Sequence, residues 1–459
     1  MACGYYHTVV ITDDGELWTC GAGTHGQLGH ADRAHQLAPK RVAATFGARL
    51  LTAAAGPRDT LVVAADGALW TWGGGNEGQL GHGDMPKWRL VPTRLGPEAF
   101  GGIPVVCASA GDDHTIALTA DGRVWAWGSG REAQQGSNSR KSACEPVAIA
   151  PASFGRAPVA MVAAGDDHSL ALTAEGDVYS WGRGAWGRLG HGDELDCLSP
   201  TMLARTALAN SPAVCVAAGK FHSAAVTSDG SVWLWGWGEW GQLGAGDTLN
   251  RPTPARLKPE VAFGDSRVMT VSCGAFHSLA ATEEGAAYTW GRGTHQRGEG
   301  GGGDLPTNFR SASTHTSKLT KMSKDMHKIC RLTPARIPQA AFSHAKVLVV
   351  AAGLLHSAAV AVEGTLYTWG AGGCDSNDPP TPTGLGQGDG HDRHEPAAVS
   401  TLSARAIHTY IHTYIHTYIH TYVYTYIRIY IHTYDLDRHY ILRLQIIFFG
   451  CRDFLTILL

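Results

Sequence analysis

Short runs in which apolar residues alternate with small or polar ones recur along the chain, as in Thr115-Ile116-Ala117-Leu118-Thr119. A period of two puts alternate side chains on opposite faces of a strand. Next comes an acidic residue followed by glycine, as at Asp121-Gly122, a pair suited to a tight hairpin. An aromatic-x-Trp-Gly strand follows: Trp70-Thr71-Trp72-Gly73, Trp125-Ala126-Trp127-Gly128, Tyr179-Ser180-Trp181-Gly182 and Trp233-Leu234-Trp235-Gly236. A Gly-Gln-Leu-Gly turn closes the pattern at 26–29, 78–81 and 241–244, with 187–190 as a variant, and a Pro-containing segment leads to the next Val/Ala strand.

The pattern is a repeat. Gly-x-x-His-Ser/Thr recurs with its glycine at Gly4, Gly111, Gly165, Gly219, Gly274 and Gly353, and a degenerate copy begins at Gly56 with Asp59 in place of histidine. The glycine-to-glycine steps are 52, 55, 54, 54, 55 and 79 residues. Each unit predicts four short strands. Such a sheet cannot bury its faces alone, so the units must stack, and radial closure protects their edges. The expected fold is all-β: a seven-bladed β-propeller of four-stranded blades over residues 1–402.

This unit, Gly-x-x-His-Ser/Thr, Asp-Gly, Trp-x-Trp-Gly, Gly-Gln-Leu-Gly, resembles the repeat of the regulator of chromosome condensation family. The likeness covers about 1–402 and breaks down at Asp59, at 133–136 and at 297–303. Members of that family include exchange factors for the Ran GTPase, recognition domains of HECT-type ubiquitin ligases and a plant ultraviolet-B photoreceptor. The resemblance therefore implies a fold more narrowly than a function.

Composition adds constraints. The chain has 459 residues with 58 Gly, 14 Trp and 17% charged residues, which suits many short strands and turns. A net charge of −3 gives no electrostatic reason to expect direct binding of nucleic acid. The ten cysteines form no Cys-x-x-Cys pair or disulfide framework, so a reducing intracellular setting, cytoplasmic or nuclear, is expected. No signal peptide is visible, and the apolar window 441–459 carries Arg443, Arg452 and Asp453, a poor membrane span.

Two segments depart from the repeat. The long step holds an insertion, 304–330, in blade six, rich in Lys and Arg. Leu319, Met322, Met326 and Ile329 recur at helical spacing, so 317–331 could form a short basic amphipathic helix, with a solvated loop as the plainer alternative. From residue 403 a low-complexity tail begins, in which Ile-His-Thr-Tyr repeats from Ile407 onward. The DNA tetranucleotide ATAC, read in triplets, encodes that peptide. The tail, 403–459, therefore reads as a translated microsatellite and is not expected to join the fold.

No catalytic constellation stands out. The Gly-x-Gly-x-x-Gly strings at 21–26, 73–78, 182–187 and 236–241 lead into turns rather than helices, so they read as structural and not as dinucleotide sites. His7, His114, His168, His222, His277 and His356 stand once per unit, as a structural hydrogen bond would, and the Trp-x-Trp-Gly indoles suit interblade packing. No metal, cofactor or enzymatic chemistry is expected.

The informative positions are the two between Gly and His, which vary inside a fixed frame. Asp112, Asp113, Asp166 and Asp167 make an acidic quadrant, and Phe221, Phe276, Leu354, Leu355, Tyr5 and Tyr6 make an apolar arc across the ring closure. Such a patch marks a protein contact, with the aspartates steering a basic partner. In the photoreceptor the equivalent positions carry Trp and Arg; here none holds Trp, which argues against light sensing. The expected role is a protein-interaction scaffold, with alternatives of an exchange factor for a Ran-like small GTPase and a recognition domain of a HECT-type ligase fragment.

Overall fold

In a computed structural model the chain divides into two units, Met1–Ile411 and His412–Leu459. The structure describes residues 1–257, 262–293, 330–373, 382, 384–402 and 407, and the backbone of 427–436, 439–448 and 455–458. The first unit is the expected seven-bladed propeller. Its seven antiparallel sheets, each of four strands in sequence order, span 2–41, 50–95, 105–148, 159–202, 213–256, 268–336 and 347–398.

The fifth blade shows the plan. Its strands are Ala213–Ala218, His222–Thr227, Val232–Gly236 and Arg251–Arg256. The second strand is buried at every residue, because both faces of a middle strand meet neighbouring blades. Accordingly each core lies between two blades. Ala224, Val226, Val232 and Leu234 of the fifth blade pack on Val268, Val271, Ala280 and Trp290 of the sixth.

Several linkers between blades also serve the core. The short 3-10 turns Pro97–Phe100, Pro151–Phe154 and Gln339–Phe342 each bury a phenylalanine. It meets the first aromatic of the next Trp-x-Trp or Tyr-x-Trp pair edge to face, as Phe154 meets Tyr179 at 5.4 Å. The turn length holds because the glycine or small residue that follows takes a left-handed conformation, Gly155 at φ 62°.

The ring closes between blades seven and one, where Val10 packs with Ala358, Val360, Leu366, Leu402 and Ile407. Here the structure differs from the expected boundary. Ile407, placed in the tail by its tetrapeptide repeat, is 2% exposed, and its N–H donates to the Gly364 carbonyl at 3.1 Å. An isolated bridge joins it to Thr12. A β-branched residue arriving at an open apolar seam is held whatever its coding origin.

The insertion falls where expected, between the third and fourth strands of the sixth blade. The proposed helix lies outside the described residues except at its end, where Cys330 and Arg331 instead open the strand Cys330–Arg336 and pair with Arg292 and Gly291. Pairing to a sheet edge overrides the local helical period there. In the second unit the backbone of Ile427–Leu436, His439–Phe448 and Leu455–Leu458 forms a three-stranded antiparallel sheet. Regular structure was not expected in this tail; its Ile, Thr and Tyr residues favour strand.

Candidate functional site

Every tetrad histidine starts the second strand of its blade, and its imidazole crosses to the next blade. His7 Nε2 lies 2.8 Å from Thr60 Oγ1, His168 Nε2 2.8 Å from Ser223 Oγ and His222 Nε2 2.8 Å from Ser278 Oγ. The contacts His114–Ser169, His277–Ser357 and His356–Thr8 continue the series at 2.9, 3.0 and 3.1 Å. The Thr60, Ser169, Ser223 and Ser278 hydroxyls donate to the carbonyls of Gln27, Gln134, Arg188 and Gln242 in the preceding blade. A hydroxyl has one proton, so it must accept from the imidazole, which fixes the Nε2–H tautomer. Trp72, Trp181 and Trp290 send their indole N–H groups to the Gln27, Gln134 and Gln242 carbonyls at 2.8–2.9 Å.

Burial keeps these imidazoles neutral, pushing His7, His222 and His356 down to about 3 and His114 and His277 to about 4. The tetrad glycine makes room for the ring: a Cβ on Gly4 would sit 2.5 Å from His7 Cε1. The belt has one gap. Asp59 is 1% exposed and too short to span to the third blade, and neither of its carboxyl oxygens has a hydrogen-bond partner. Burial, then Asp113 and Asp112, raise its acid well above the ordinary range.

The variable positions separate into two sets. Tyr5, Asp166, Lys220 and Ala275, first after their glycines, line one part of an axial cavity of about 330 Å³ walled by the Ala- and Gly-rich innermost strands. Lys220 Nζ lies 2.8 Å from Asp166 and donates to the Tyr5 hydroxyl at 3.0 Å, while that hydroxyl donates to Asp166. A side chain of the first blade is thereby tied to the fourth and fifth, nearly opposite it in the ring. Burial lifts both Asp166 and Asp112 to about 6.

The second set faces outward between blades. Phe221 and Phe276 stand 6.3 Å apart and enclose a cluster with three indoles. Trp237 packs edge to face on both, at 5.0 and 6.0 Å, Trp186 on Phe221 at 5.0 Å, and Trp240 on Phe276 at 6.2 Å. Two guanidiniums complete it: Arg188 lies 4.8 Å from the Trp186 centroid and Arg292 4.6 Å from Trp240, both within cation–π reach. Burial lowers Arg188 to about 10. Trp186 adopts φ 60°, a left-handed backbone that a bulky residue accepts only under surrounding constraint.

The expected arc and quadrant are thus rearranged. Phe221 and Phe276 are brought together as expected, but Tyr5 joins the axial bridge, and Tyr6 meets Tyr5 edge to face at 6.1 Å. Leu354 and Leu355 are half-buried on the seventh blade. The aspartates are no free acidic quadrant. Asp166 is buried against Lys220, Asp167 is 3.3 Å from Arg183 and 3.8 Å from Arg188, and Asp113 is 3.7 Å from Arg58. A nearby cation stabilises a half-buried carboxylate, so the charges of Asp113, Asp166 and Asp167 are partly offset within the molecule.

Sequence reasoning missed Trp186, Trp237, Trp240, Arg188 and Arg292. The first three lie inside strings dismissed as structural turns, and Arg188 occupies the Gln position of the Gly-Gln-Leu-Gly turn. The signal that marks them is their departure from the other repeats at the same turn positions. Among the described residues no group of three or more His, Cys, Asp or Glu could hold a metal ion, and no helix is long and apolar enough to cross a membrane.

The fold and this arrangement define a repeat propeller whose framework is uniform and whose outward positions are specialised sector by sector. The chain belongs to the RCC1-like domain family, which matches residues 96–417, and the Regulator of chromosome condensation (RCC1) repeat matches 66–118 and 1–27. It is 37% identical over 297 residues to the Ultraviolet-B receptor UVR8 of Arabidopsis thaliana, covering 64% of this chain and 65% of that one. It is 30% identical over 403 residues to the E3 ubiquitin-protein ligase HERC2 of Homo sapiens, covering 87% of this chain and 7% of the ligase. The chain therefore spans less than two thirds of either relative. Human WBSCR16 superimposes with a TM-score of 0.67 at 25% identity, covering 84% of this chain and 93% of that one. Prp20p from Saccharomyces cerevisiae, described with its binding properties to Gsp1p and histones, does so with 0.67 at 24%, covering 86% and 87%.

Proposed function

We propose that this protein-interaction propeller engages a protein partner through the sector built by Trp186, Phe221, Trp237, Trp240 and Phe276 with Arg292, on the buried support of Arg188. The carrying observation is that cluster: five aromatic rings from three blades, four of them only half-buried, with two guanidiniums against the rings. Half-buried tryptophans and an arginine are of the kind that dominate binding energy at the well-packed centre of protein interfaces, while Arg188, itself fully buried, packs against the Trp186 and Phe221 rings. Affinity purification with the Phe221→Ala/Phe276→Ala variant tests this. The main partner is lost while the variant still melts cooperatively; unchanged partners would remove the assignment. A nucleotide-release assay on a Ran-like GTPase decides the exchange-factor reading, since the likeness to Prp20p is one of fold alone. Recognition within a ligase is the finer reading for the HERC2 resemblance, tested by whether the captured partner is ubiquitinated in its presence.

One observation favours a second reading, ultraviolet-B reception as in UVR8. Three indoles packed around two phenylalanines beside cations form an absorbing cluster, and they enter through the Gly-x-Gly-x-x-Gly turns rather than the tetrads. Irradiation that changes the oligomeric state or tryptophan emission of the wild type, and not of Trp237→Phe, would support it; no change on irradiation would end it.

A further inference from the structure

A second concave site lies on blades one and two, away from the aromatic sector. Thr24, His25, Arg33, Arg58, Asn76, Lys87 and Trp88 line a cavity of about 470 Å³. That size is in the range of ligand pockets. The lining contains three cations and no carboxylate.

The local charge balance is one-sided. Several other outward arginines lie beside acids: Arg131 is 3.2 Å from Glu77, and Arg183 3.3 Å from Asp167. Among the described residues no carboxylate comes within 4.0 Å of Arg33 or Lys87, and Arg58 has only Asp113 at 3.7 Å. The cations are instead gathered on one indole, with the Arg33 guanidinium 4.1 Å and the Lys87 ammonium 4.5 Å from the Trp88 centroid. Arg33 Nε is further pinned to the Thr24 carbonyl at 2.8 Å. Holding like charges together costs free energy that a bound anion would offset. The field is felt by His25, whose pKa is lowered by burial and then by Arg58 and Arg33.

We propose that this cavity binds a short acidic peptide segment, whose carboxylates pair with Arg33, Arg58 and Lys87 while Thr24 and Asn76 serve its backbone. The shape of the site favours this over a nucleic acid. Two cations already occupy the π surface of Trp88, leaving no open ring for a base to stack on. The site is independent of the aromatic sector and does not rest on its assignment.

Fluorescence anisotropy of a short labelled peptide of alternating Asp and Glu, at low and high salt, tests the proposal on the full chain. The acidic peptide binds and weakens with salt; its Asn/Gln counterpart does not bind. Arg33→Gln/Lys87→Gln weakens binding by at least about tenfold, whereas Phe221→Ala/Phe276→Ala binds as the wild type does. Arg33 and Lys87 are exposed, so the variant should fold, and a melting curve checks this. Peptide saturation also raises the His25 pKa, read by histidine NMR. No binding of the acidic peptide, equal binding of the neutral one, undiminished binding by the double variant, or tighter binding of an oligonucleotide of equal charge would each overturn it.

Discussion

The belt of imidazole–hydroxyl contacts and the outward sector of Phe221 and Phe276 are built from the same tetrads, yet they obey opposite rules. In the belt six of seven blades repeat one residue pair with the same partner and the same neutral state. In the outward positions the residue changes from sector to sector, from Tyr6 and Arg58 through Asp113 and Asp167 to Phe221, Phe276 and Leu355. A buried polar group has few ways to be satisfied, so the position is uniform. A half-buried one can be satisfied by neighbours or by a partner, so it is free to specialise. In this protein the uniform positions tie blade to blade, and the variable ones make one sector of the surface unlike the next.

The sharpest separation comes from acid. The six belt histidines have pKa values depressed below the ordinary 6.5 by burial, so the unfolded chain takes up protons first. Their contribution to stability is present above pH 6.5 and lost as pH falls toward their folded values. Asp59, Asp112, Asp113 and Asp166 have raised values and act in the opposite direction, gaining stability on acidification. The belt's share is read by comparison: the melting temperature of the wild type should fall more steeply than that of His222→Ala as pH drops from 6.5 to about 4. Equal slopes measured by calorimetry would remove His222 from this role.

Next in size is the belt itself. His222→Ala leaves the Ser278 hydroxyl without its donor and opens a void, costing about 3 kcal/mol. Phe276→Ala, losing edge contacts at a half-open site, should cost nearer 1 kcal/mol. Chemical denaturation of both variants gives the order; equal losses would erase the distinction between the two regions.

The smallest effect repairs the gap. Asp59→His should reach Thr115 and supply the missing link, stabilising by about 1 kcal/mol. Gly56 already leaves the space that Gly4 leaves for His7. The gain over wild type should grow as pH rises, because burying the ionised Asp59 becomes costlier. A destabilised histidine variant would show that the second and third blades are spaced for the shorter side chain.

The propeller, its blade count and the structural roles of histidine and Trp-x-Trp were legible because the repeat states them many times over. The insertion's position was legible too. The site was only partly so. Tyr5 and Lys220 could not be paired with Asp166 from sequence, since ring closure brings together residues 161 and 215 positions from Tyr5. Nor could Arg188 be seen as an aromatic partner while its turn was read as a variant of Gly-Gln-Leu-Gly. Phe221 and Phe276 are visible in the sequence because they vary within a constant frame.

Ile407 gives the molecule a genetic boundary as well as a physical one. It closes the seam between the last and first blades, and it is also the first residue of the tetrapeptide run. A four-base unit read in triplets spells the same cyclic peptide in all frames, so gain or loss of one copy leaves the run of Ile, His, Thr and Tyr intact. Only the sequence after the run changes, because its frame depends on the copy number. Replication slippage would therefore produce alleles with unrelated carboxyl ends and one unaltered ring, because the buried isoleucine is the first residue of the run.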